Sequence, residues 1–77
     1  MNGIRESTDS GSVYQHYLGI NYTVLGEVTD FITGSVSVIF KDKHNKVWTC
    51  LLSEFFRHIN INGIKIPVFK FLHRKEK

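Results

Sequence analysis

The side chains that could carry chemistry in this chain are one cysteine, four histidines and seven carboxylates. A zinc site needs three or four converging ligands, usually with closely spaced pairs. Cys50, His16, His44, His58 and His73 contain no such pair, so no metal is expected. A cysteine nucleophile needs an accessible, electropositive setting with a base beside it. Cys50 stands between Trp48 and Leu52 in a strand-forming run, which reads as a buried, inert thiol. The carboxylates do not pair for acid–base work, and Gly26 and Gly34 stand in no phosphate-binding arrangement. No nucleophile, base and orienting group can be named together, so the chain reads as non-enzymatic and without a cofactor.

Binding is the alternative to catalysis. Tyr14, His16 and Tyr17 put two aromatics and a titratable imidazole on one segment, which could grip a peptide, a base or a small ligand. Their structural alternative is packing over the core, with His16 making one hydrogen bond. A protein partner would be met through these three residues, through loops around Phe31 and His44, or along an exposed edge strand.

Charge supports a second class of partner. The net charge is +3, but residues 1–42 carry a net −3 and residues 43–77 a net +6. Lys65, Lys70, Arg74 and Lys75 could meet the phosphates of a nucleic acid, with Phe69 or Phe71 as a stacking surface. The plainer account is a solvated hairpin face whose lysines keep a sheet edge soluble.

Positioning these residues is the task of short strands. VYQHYL (13–18), INYTVL (20–25) and SVSVIF (35–40) alternate as strands do. Gly26 predicts a bulge or sharp bend, after which 27–29 continue the strand. The loop 30–34 holds an apolar pair, Phe31 and Ile32, placed to cover one open end of a barrel. VWTCLL (47–52) is apolar or β-forming on both faces, which predicts a central strand. Ser53 is a natural N-cap, so a short helical turn is expected near 53–57, pressing Phe55 or Phe56 inward. Asn62-Gly63 predicts a two-residue type I′ hairpin. Pro67 lacks an N–H and predicts an edge or a bulge, where a homodimer could also form.

These elements predict an all-β fold: a small SH3-like barrel or antiparallel roll of five to six short strands. An OB-fold fits less well, because it usually carries a longer helix. The expected organisation is a flexible leader at 1–12, a single domain at 13–72 and a basic tail at 73–77. A chain of 77 residues buries little more than about 60% of its unfolded surface, so its core is small. No apolar run nears the roughly 18 residues of a membrane span, and the first twelve residues contain no signal-peptide core. One cysteine makes no internal disulfide, and a cytoplasmic setting is the simple reading.

The spacing Tyr14-x-His16-Tyr17-x-Gly19-x-x-Tyr22-x-Val24-x-Gly26, then Trp48, then Glu54-x-Phe56 and Gly63-x-x-x-Pro67-x-Phe69, resembles a family of short bacterial and phage domains of unknown function. The resemblance covers residues 13–72. It departs at Val68, where the family typically carries Arg. It implies a compact β domain from bacteria or their phages and brings no activity. If the source is a phage, such a domain could act by occupying a host protein's surface.

Overall fold

Four successive segments alternate core-facing and outward side chains and pair with their neighbours through short turns. These are β1 (Ser12–His16), β2 (Asn21–Thr29), β3 (Val36–Lys41) and β4 (Val47–Leu51). A single helical turn, α1 (Leu52–Phe55), follows, then the hairpin β5 (His58–Ile61) and β6 (Ile64–Pro67), and finally β7 (Phe69–Arg74). The computed structural model describes residues 8–74. Every pairing is antiparallel, in a five-stranded sheet of order β4-β3-β2-β1-β7 and a two-stranded sheet β5-β6. The all-β expectation therefore holds, with seven strands in place of five or six. The barrel does not close. The last segment breaks at Val68, so β6 and β7 belong to different sheets.

Directly opposite residues share a face of a sheet. The core face carries Phe71–Tyr14–Tyr22 and Val24–Phe40–Trp48 as cross-strand rows. The other face carries the row His73–Val13–Thr23–Lys41–Val47. Against the core face lie α1 and the β5–β6 hairpin. Leu52, Phe56 and Ile59 pack around the buried cluster of Tyr14, Val24, Val38, Phe40, Phe55, Val68 and Phe69.

Phe55 is the centre of that cluster. It is fully buried, stacks on Phe69 with centroids 4.4 Å apart, and meets Tyr14 edge-on at 4.8 Å. Phe40 and Phe56 complete its ring of aromatics at 5.6 and 5.3 Å. One turn of helix is unstable alone, since nucleation fixes several dihedrals for a single hydrogen bond. The N-cap is Leu51 and no side chain caps the turn, which removes Ser53 from that role. The burial of Phe55 holds α1 in place.

Several expectations change with the topology. The segment at 47–52 is not central: β4 is an edge strand, with Val47 58%, Trp48 41% and Leu51 46% exposed. Two-sided apolarity marked a strand with one unpartnered side. The loop pair covers nothing, because no barrel end lies beneath it; Phe31 and Ile32 stand in solvent. Residues 1–7 of the expected leader lie outside the described residues. Gly11 is already tied to the sheet through its N–H to the Val24 carbonyl, and Ser12 opens β1. At the other end, His73 and Arg74 belong to β7, opposite Val13 and Ser12, not to a tail.

The turn and bulge signals are found as read. Asn62 and Gly63 both have positive φ, +54° and +80°, as a type I′ turn requires. The β2–β3 register shifts between Val24 and Gly26. No helix among the described residues is long and apolar enough to cross a membrane.

Phe55→Ala removes the ring that four others contact. It should cost about 3–5 kcal/mol, the usual range for deleting a buried aromatic. Urea unfolding followed by circular dichroism measures this. Phe56→Ala, at a half-buried position, should cost clearly less.

Candidate functional site

The candidate residues do not form one site. Tyr14 has no exposed surface and sits against Phe55 and Phe71, so it belongs to the core and cannot touch a partner. Its alternation with Val13 and Gln15 turns it inward, the side opposite to the one partner contact needs. His16 ends β1 half-buried, with its ring 5.2 Å from Phe69. Its Nδ1 accepts the Leu18 N–H at 3.2 Å, so the neutral ring carries its proton on Nε2. Tyr17 follows in the turn, half-exposed, with its ring 4.5 Å from that of His16.

Antiparallel order decides which loops share an end. The β1–β2 turn with Tyr17 and the β3–β4 turn with His44 lie at one end of the large sheet. Phe31 lies at the other end, separated by the nine residues of β2, roughly 30 Å of strand.

At the first end is a cleft of about 370 Å³ between Gln15, His16, Tyr17, Ile66, Pro67 and Lys70. It brings His16 and Tyr17, expected to meet a protein, together with Lys70, expected to meet phosphates. Lys65 lies on the neighbouring strand β6, exposed. Arg74 is at the far end of β7, facing the Asp9 carboxylate at 3.2 Å. Lys75 lies outside the described residues. The three described basic candidates, Lys65, Lys70 and Arg74, therefore do not make one patch. A different recess, of about 400 Å³, lies on the outer face, with Lys41, Lys43 and His73 beside the Asp42 carboxylate and among Asn21, Thr23 and Asn45. Cross-strand pairing collects these residues from three strands and a turn. The only sequence signal for them was alternation along each strand.

Among the described residues the Phe31 tip is the most exposed apolar feature, with Phe31 96% and Ile32 85% accessible. It is nevertheless well bonded. The Asp30 carboxylate accepts from the Ile32 N–H (3.1 Å), the Thr33 N–H (2.8 Å) and the Thr33 hydroxyl (3.0 Å). The Asp30 N–H donates to Ser35, and the Gly34 N–H donates back to the Asp30 carbonyl. The bonds from Thr33, first backbone and then side chain, hold the Asp30 carboxyl below the usual carboxylate range.

A second carboxylate organises the β3–β4 turn. Asp42 accepts the His44 N–H (2.8 Å) and the Lys46 N–H (3.0 Å) on one oxygen and the Trp48 Nε1–H (3.1 Å) on the other. The Lys46 ammonium lies 4.5 Å from the Trp48 ring centroid. His44 thus serves the turn through its backbone, while its side chain is exposed. Cys50 is half-buried; burial, then the Glu54 charge, push its thiol up, which disfavours the thiolate. Among the described residues, no three of His, Cys, Asp and Glu gather as a metal ion would require.

Asp42 and the single tryptophan give a direct readout. The Trp48 bond is the largest influence lowering the Asp42 pKa, so the ionised form is favoured in the folded protein. Such an interaction is present above the unfolded pKa and is lost as pH falls through the folded one. The change in Trp48 emission on acidification should therefore have its midpoint below the ordinary carboxylate value of 3.8. Asp42→Ala should give the acid-like emission already at neutral pH.

The comparisons with known proteins add one finding. No curated protein and no solved structure matches the chain. Residues 12–71, most of the chain, match the family described as Protein of unknown function (DUF1653), and the chain belongs to that family.

Proposed function

We propose that this domain is a non-catalytic protein-interaction module that inserts the Phe31–Ile32 tip into an apolar pocket of a partner protein. The observation that carries this reading is the combination of near-complete exposure with a turn in which the Ile32 and Thr33 N–H groups are both bonded to the Asp30 carboxylate. Exposed aromatics are the usual anchors of protein interfaces. A loop already fixed in one conformation loses little entropy on binding. The Asp30 bonds supply that fixation, so the free protein carries the cost of solvating two large apolar groups for no gain within its own fold.

Other surfaces fit the same role. The His16–Tyr17 cleft at the opposite end offers aromatic and aliphatic walls with one cation, Lys70. A non-catalytic role agrees with the raised Cys50 thiol and with the His16 Nδ1 already in use as an acceptor. In this reading the domain works in the cytoplasm of a bacterium, or of a phage's host, by occupying a surface of another protein.

A second reading, phosphate binding, rests on Lys41, Lys43 and His73 of the outer recess, whose one carboxylate, Asp42, is already occupied by the His44, Lys46 and Trp48 donors. A nucleic acid seated there would weaken steeply with salt, because each neutralised phosphate releases counterions.

One capture experiment separates the two. The protein is immobilised and exposed to bacterial lysate at low and high salt, with and without nuclease. The expected result is a discrete protein retained through salt and nuclease, and lost at least about tenfold with Phe31→Ser/Ile32→Ser. Retention indifferent to the tip substitutions would refute the tip as the binding element. Nucleic acid held only at low salt, and released by Lys41→Ala/Lys43→Ala, would favour the second reading; each lost phosphate contact should lower the salt slope by about one.

A further inference from the structure

Among the described residues, the free side of β4 (Val47–Leu51) is the least protected strand edge. Proteins normally guard such edges with charge, proline or a bulge. β7 has Lys70, His73 and Arg74, and a bulge at Leu72 where its pairing with β1 shifts. β6 has Lys65 and Pro67, and β5 alternates His58 and Asn60 with its two isoleucines. β4 reads Val-Trp-Thr-Cys-Leu, with no charge, no proline and an unbroken register against β3. Among the described residues no strand pairs with its other side.

We infer that β4 pairs antiparallel with β4 of a second copy, about a two-fold axis at Thr49, giving a continuous sheet across the dimer. The backbone is oriented for this. The Asp42 N–H donates to the Lys46 carbonyl, which makes 42 and 46 a hydrogen-bonded pair. Alternation then makes Phe40/Trp48 and Val38/Cys50 the bonded pairs of the β3–β4 ladder. Val47 and Thr49 consequently turn their N–H and C=O to the free edge. About the two-fold, Thr49 exchanges both bonds with Thr49 of the second copy, and the Val47 carbonyl receives the N–H of the other Leu51.

The side chains are self-complementary in that register. On the outer face Val47 meets Leu51 and Thr49 meets Thr49. On the core face the large Trp48 meets the small Cys50. No like charges stand opposite one another. The turn with Lys43 and Lys46 comes beside the end where Glu54 and Arg57 pair at 3.5 Å, so no uncompensated like charge faces it. A β7 self-pairing centred between Phe71 and Leu72 would instead oppose Lys70 and His73. Trp48 is already held in place at this edge by Asp42, so little ordering remains to be done on pairing. This inference is independent of the tip. It has one consequence for it: the two-fold sends the two Phe31 tips toward opposite ends of the joined sheet.

The test is sedimentation with a cross-link that reports register. The wild-type chain should sediment as a concentration-dependent dimer. Thr49→Lys, at an exposed position facing away from the core, should weaken the dimer by roughly tenfold or more through like-charge opposition, with an unchanged far-UV spectrum. Opposed bonded residues lie about 5.5 Å apart at Cα, within the span of a disulfide. Thr49→Cys in a Cys50→Ala background should therefore cross-link on air oxidation, while Val28→Cys in the same background should not. A wild-type monomer at its highest soluble concentration overturns the inference. So does a dimer indifferent to Thr49→Lys.

Discussion

The rest of this structure depends on burying one ring. Phe55 lies on a helical turn too short to persist alone, yet it reaches the middle of the core and stacks on Phe69 from the last strand. Tyr14 and Phe40, from β1 and β3, close around it. Aromatic pairs add about 0.5–1.5 kcal/mol each beyond the area they bury. In a chain of 77 residues, such a cluster is a large share of the total stability. It also fixes topology, because α1 and the β5–β6 hairpin must cross the core face before β7 can pair with β1.

With the core so concentrated, the loops are organised locally, each by one carboxylate. Asp30 is exposed and Asp42 half-buried, and both bind donors of their own turn. Asx-type bonding of this kind needs only the residues nearby. It sets a rigid frame at the two ends of the sheet without drawing on the core. The frame matters because each loop shows apolar surface to water: Phe31 and Ile32 at one, Trp48 beside the other.

The candidate binding residues are accordingly spread over the periphery of the domain. The aromatics best suited by type to grip a ligand are divided: Tyr14 holds the core together, while His16 and Tyr17 frame a cleft with Ile66 and Pro67. Basic residues are divided too, with Arg74 facing Asp9 at one end of β7 and Lys70 at the other. The surfaces that remain are a tip, a cleft, a recess of mixed charge and a bare edge.

Local patterns in the sequence determined much of this. Strand alternation, the Asn62-Gly63 turn, the Gly26 bulge and the inward aromatics of the segment after β4 depend on neighbours within a few residues, so they are legible there. Tertiary structure alone decided which strands stand side by side. A run apolar on both faces is equally consistent with the centre of a sheet and with an edge, since the pattern records side chains and not the strand's lateral partners; β4 proved to be the edge. Barrel closure likewise depends on whether the last segment bends, and Val68, whose N–H reaches the Arg57 carbonyl while its own carbonyl accepts from Tyr17, splits it between two sheets. Those bonds join positions far apart in sequence, and no local pattern announces them.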